Sequence, residues 1–118
     1  MKTFSAIAML AGALCSNAAM AHIVVKQSVP NQGARLTASP PEANIVFSEK
    51  VEKMFSSATL NTGAGAAVPG AKSSIDAANG ALLRMPLPSL KPGAYVIKWT
   101  AVGRDGHRRS GDIRFSVL

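Results

Sequence analysis

The chain has 118 residues, enough for one folded domain, and carries 13 Lys and Arg against 6 Asp and Glu, for a net charge of +7. One cysteine excludes an internal disulfide and any site built from several thiolates. The basic excess bears on solubility and on association with acidic partners, not on the fold.

Met1–Ala21 has the layout of a cleavable secretory signal. Lys2 supplies the positive start. Phe4 to Leu14 is an apolar run too short to span a bilayer, and Ala19-Met20-Ala21 fits the small-x-small cleavage rule. An uncleaved anchor and a lipoprotein at Cys15 are the alternatives. Leu14 stands where a lipoprotein signal needs a small residue. Cleavage leaves a domain over residues 22–118 that begins at His22 and contains no cysteine. A blue-copper centre, which needs a Cys ligand, is then excluded.

Within that domain, Ile23-Val24-Val25 suits a strand, and Ser28-Val29-Pro30-Asn31-Gln32-Gly33 suits a turn. Ala38-Ser39-Pro40-Pro41 breaks the chain before a strand at Ala43–Phe47. Glu49 to Met54 admits a helical turn, because Val51 lies three and four residues from Met54 and Phe55. Ser57–Leu60 is a short strand. Asn61 to Ser74, rich in Gly, Ala and Ser, reads as a loop or a weak hairpin. Ala81–Leu87 is a strand ended by proline. In Ala94–Val102, Tyr95, Ile97 and Trp99 share one face and Val96 takes the other. In Asp112–Leu118, Ile113, Phe115 and Val117 face inward, with Arg114 and Ser116 outward. Six or seven short strands between Pro/Gly turns, with no long helix, predict an all-β fold: a small antiparallel Greek-key sandwich or barrel.

Between the last two strands lies Asp105-Gly106-His107. Residues two apart on an extended chain project to the same side, so a carboxylate and an imidazole can act together. Both are suitable ligands for a divalent first-row metal. Asp-Gly between alternating apolar runs is equally a hairpin signal, and the two readings are compatible. The other of the two histidines, His22, would become the mature terminus. There it offers an imidazole and an α-amine whose unperturbed pKa is about 7.7–8.0, low enough for a metal to displace the proton. Three nitrogens and one oxygen from His22, His107 and Asp105 suit tetragonal Cu(II); Zn(II) and Ni(II) would also accept such a set.

These residues resemble those of the CopC family of periplasmic copper-binding proteins. The resemblance rests on the start at His22, on Ser28–Gly33, on Ile45-Val46-Phe47-Ser48-Glu49, on Leu90–Trp99, and on Asp105-Gly106-His107 followed by Gly111. It implies a cupredoxin-like or immunoglobulin-like β-sandwich with a Cu(II) site made by His22, Asp105 and His107. Glu49 would stand beside that site, accepting from the terminal amine without touching the metal. The resemblance further implies a carrier or buffer in copper homeostasis and resistance, located in the periplasm, working with an inner-membrane transporter of the CopD type. Two departures stand out. Arg108 replaces the proline usual after the histidine, and Asn61–Ser74 lacks the methionines that some members use for Cu(I). Met54 and Met85, in apolar context, are expected in the core, which leaves no Cu(I) site.

Two other functions compete with a non-catalytic copper carrier. Lytic polysaccharide mono-oxygenases also use a terminal histidine, but one Trp and one Tyr leave little for an aromatic substrate face. A metal-free structural sandwich is the second. Arg104, Arg108, Arg109 and Arg114 stand around the expected site in sequence. They are either a solvated basic face or a dock for an acidic partner or anionic headgroups. They also repel an incoming cation. The export signal separates the chain from nucleic acid.

Overall fold

The computed structural model describes residues 22–118; the expected signal segment 1–21 lies outside the described residues. Eight strands form two sheets. One sheet contains β1 (Val25–Val29), β3 (Glu42–Phe47), β6 (Leu82–Pro86) and β5 (Ser74–Ile75), in the order β1-β3-β6-β5. The other contains β2 (Ala34–Leu36), β8 (Arg108–Val117), β7 (Gly93–Val102) and β4 (Ser57–Thr62), in the order β2-β8-β7-β4. Most connections cross from one sheet to the other, as a Greek-key sandwich requires. All pairings are antiparallel except β2 with β8, which is parallel. Among the described residues there is no helix.

Alternation builds the core. Ala43, Ile45 and Phe47 of β3, Leu83 and Met85 of β6, Tyr95, Ile97, Trp99 and Ala101 of β7, and Ile113, Phe115 and Val117 of β8 are all buried. They face one another across the two sheets, since every second residue of a strand points to the same side. Phe47 meets Trp99 edge to face at 5.3 Å between ring centroids, and Tyr95 stacks on Phe115 at 5.6 Å. Gly111 stands opposite Trp99 in the β7–β8 register, and a Cβ on it would lie 2.6 Å from Trp99 Cζ2. The indole therefore occupies the space that any other residue at 111 would fill. Tyr95 Oη donates to the Lys91 carbonyl at 2.6 Å, fixing the corner at which the chain enters β7.

The first strand runs over Val25–Val29 rather than Ile23–Val25, taking in the start of the expected Ser28–Gly33 turn, and the structure settles or corrects further expectations. Ala34–Leu36 forms a strand because it finds the free edge of β8. Ser74–Ile75 adds a two-residue strand to β6, and Asn61 bridges Ala67 around Gly65, so part of the Asn61–Ser74 stretch is a small hairpin. The helical turn considered at 49–54 does not form, since Val51 is drawn into a bridge with Gly103. Met85 is in the core as expected, but Met54 is 85% exposed. The turn between β3 and β4 contributes Val51 to the core and leaves Met54 and Phe55 outside.

Candidate metal centre

Three segments converge at one end of the sandwich: the start of the domain, the stretch after β3, and the β7–β8 loop. The loop is tight. Gly103 N–H donates to His107 O at 3.0 Å, and Gly106 N–H donates to Gly103 O at 2.9 Å. Gly106 has φ of 83°, in the left-handed region that favours glycine. This is a three-residue hairpin loop in which a tight turn is followed by a left-handed glycine. The Asp-Gly signal thus marks the hairpin, with Gly106 at the position that only glycine occupies without strain.

Asp105 and His107 are in contact. Asp105 Oδ1 accepts the His107 main-chain N–H at 3.0 Å, and Asp105 Oδ2 lies 2.9 Å from His107 Nδ1. The His107 main-chain N–H foremost, opposed by desolvation and aided by the His107 ring, holds the Asp105 carboxyl below its ordinary pKa. An ionised carboxylate can only accept, so Nδ1 carries the proton and the neutral ring keeps its lone pair on Nε2. His107 is thereby oriented as a metal donor through Nε2, the arrangement by which a carboxylate fixes the tautomer of a metal-binding histidine. Each Asp105 oxygen accepts one hydrogen bond here and keeps a second lone pair for a metal ion.

Gly103 is the point at which the segments meet. A Cβ there would stand 2.9 Å from Asp105 Oδ1, 3.1 Å from Glu49 Oε1 and 3.1 Å from Ile23 Cδ1. Two carboxylates and the residue after His22 therefore surround one buried glycine. Ser48 holds the start of the domain in place. Its Oγ accepts from Val24 N–H at 3.0 Å, and its N–H donates to Val24 O at 2.9 Å. Ile23 is buried next to this clamp, whereas His22 is exposed.

The expected residues are thus brought together in part. Asp105 and His107 touch, and Glu49 stands beside Asp105. Among the described residues, however, no three of His, Cys, Asp and Glu are grouped closely enough to hold a metal ion. In the 118-residue chain the His22 nitrogen is a peptide nitrogen and offers no amine donor. Sequence reading assigned no role at this end to Gly103 or Ser48. Ser48 was visible only as the neighbour of Glu49, and nothing local distinguishes Gly103 from other loop glycines.

The four arginines divide. Arg104 and Arg108 flank the hairpin loop on one side, and Arg109 faces the other way, lining a groove with Ile23 and Trp99. Arg114 lies farther along β8, 3.7 Å from Asp112, and does not belong to this end.

Comparison with known proteins places the chain in context. Residues 25–118 match the family model described as CopC domain. The chain is similar to protein YobA of Escherichia coli (strain K12), 33% identical over 113 residues, covering 95% of this chain and 91% of that protein. It is similar to copper resistance protein C of Xanthomonas campestris pv. juglandis, 33% identical over 117 residues, covering 94% and 91%. The crystal structure of CopC from Methylosinus trichosporium OB3b superposes with a TM-score of 0.75 at 27% identity, covering 81% of this chain and 93% of that one.

Proposed function

The chain belongs to the CopC family, and from that premise we propose that it binds Cu(II) as cargo in the periplasm, without catalysis. The ligands in this reading are the terminal amine and imidazole of His22 after cleavage, the Nε2 of His107, and Asp105. Glu49 accepts from the terminal amine. The observation that carries the reading is the Asp105–His107 contact at 2.9 Å, at the same end of the sandwich as Ile23 and Glu49. Cleavage would give the exposed His22 the amine it lacks in the longer chain, and with it a chelate ring on a divalent ion. Three nitrogens and an oxygen select Cu(II) over other available divalent ions by geometry and by affinity order. The protein then buffers copper or hands it to an inner-membrane transporter of the CopD type.

The test turns on the terminus. Protein beginning at His22 should bind one Cu(II), with a tetragonal paramagnetic resonance signal showing nitrogen couplings. His107→Ala should lower the nitrogen count. A variant with one extra residue before His22 should bind Cu(II) at least a hundredfold more weakly. Equal binding by the extended variant would rule out the terminal-amine site.

A further inference from the structure

We propose that the same end of the sandwich carries a docking face, built from Met54, Phe55, Arg104 and Arg108, for an acidic protein segment bearing an apolar side chain. The proposal rests on the reading of this end as the copper site, since a partner that exchanges the ion must approach it there. Met54 is 85% and Phe55 64% exposed, the two most exposed large apolar side chains among the described residues. A loose turn could fold such residues back onto the protein, but this turn is held on both sides. Glu52 N–H donates to Val102 O at 2.7 Å, and Phe55 N–H donates to Glu52 O at 3.1 Å. Buried Ser56 accepts the Val102 N–H on its Oγ at 3.0 Å. The clamp presents the apolar pair outward.

Phe55 forms one wall of a pocket of about 420 Å³ whose other walls are Glu52, Val102, Gly103, Gly106, Arg104 and Arg108, two cations against one carboxylate. The pocket directly adjoins Asp105. Among the described residues, neither Arg104 nor Arg108 forms an ion pair, whereas Lys98 and Arg114 both lie against Asp112. Phe55 beneath two arginines free of ion pairs, with the exposed Met54 next to it in the chain, has the composition of a protein interface. The charge selects the partner. A second copy would bring the same excess of positive charge to the contact, two arginines against one glutamate on each side. A bilayer surface is flat and would leave the concavity unfilled. A protein segment with one apolar side chain between carboxylates satisfies both the pocket and the arginines.

The experiment uses metal-free protein beginning at His22, labelled with ¹⁵N, and the peptide Glu-Asp-Leu-Trp-Asp-Glu with blocked ends. Amide shifts should move at residues 54–56, 102–104, 106 and 108. Phe55→Ser, and separately Arg104→Glu with Arg108→Glu, should each weaken the peptide at least tenfold. Shifts spread over every surface cation, or unchanged in Phe55→Ser, would overturn the proposal. So would Phe55-dependent binding to phosphatidylglycerol vesicles without peptide binding, or a dimer in sedimentation that Phe55→Ser dissolves. Phe55→Ser should bind Cu(II) as the parent does. Peptide docking in a protein that fails to bind Cu(II) would support the face while overturning the copper reading.

Discussion

At Gly103 the absence of one methyl group lets two carboxylates and an isoleucine approach the same point. Gly103→Ala would place a Cβ 2.9 Å from Asp105 Oδ1, closer than carbon and oxygen tolerate. Asp105 can swing away only by giving up its bonds to His107, because the loop backbone is fixed by the Gly103–His107 and Gly106–Gly103 hydrogen bonds. The expected outcome is Cu(II) binding weakened about tenfold or more, with a thermal midpoint lowered by only a few degrees, measured by titration and melting. Asp105→Asn tests the tautomer argument. An amide cannot hold Nδ1–H as an ionised carboxylate does, so the His107 ring signals in NMR should show a mixture of tautomers where the parent shows one.

At the scale of the strands, the β7–β8 pair carries both the core and the loop, and Gly111 is where it is most tightly built. Gly111→Ala must displace the Trp99 indole, which also packs on Phe47. Overpacking of this kind costs about 1–3 kcal/mol, so the variant should unfold at lower urea with a shifted Trp99 fluorescence. An unchanged midpoint would mean that Trp99 has room to move. On the other sheet, Arg84 of β6 donates through Nε to Glu42 of β3 at 2.7 Å, and this bond lowers the Glu42 pKa from its ordinary 4.5. A lowered carboxyl pKa adds stability that is present above the ordinary value and is lost as pH falls through the folded value. Arg84→Gln should therefore be less stable than the parent at pH 7, with the gap closing once pH drops below the folded Glu42 value. Urea melts at pH 7 and at strongly acid pH check the sign.

For the whole molecule, charge and site oppose each other. Arg104 and Arg108 stand beside a loop whose proposed cargo is a dication. At a separation of about 10 Å in water, each arginine opposes a dication by about 0.8 kcal/mol, or roughly fourfold in affinity. Replacing both with serine should tighten Cu(II) binding several-fold at low ionic strength. The gain should fade in 0.5 M salt, where screening acts over less than about 5 Å. Retaining arginines that weaken binding is consistent with the docking face proposed above, where they serve the partner rather than the ion. A gain that persists undiminished at high salt would show that the arginines act by contact, not by field.

Much of this was legible in the chain itself. The alternation in Ala94–Val102 and Asp112–Leu118 determines which side chains enter the core, because a strand has only two faces. Asp-Gly before His107 determines the hairpin, because Gly106 must take a left-handed conformation. The same short stretch places a carboxylate beside an imidazole. What only the tertiary structure decided was long-range. Ala34–Leu36 becomes a strand by pairing with β8, and Val51 abandons a helical turn to bridge Gly103. Met54, apolar in sequence, is left outside on a turn held by Glu52 and Ser56 against Val102. The end at which Ile23, Glu49 and Asp105 close around Gly103 draws on residues distant in the chain. No local pattern encodes that meeting, because it arises where strands from both sheets end together.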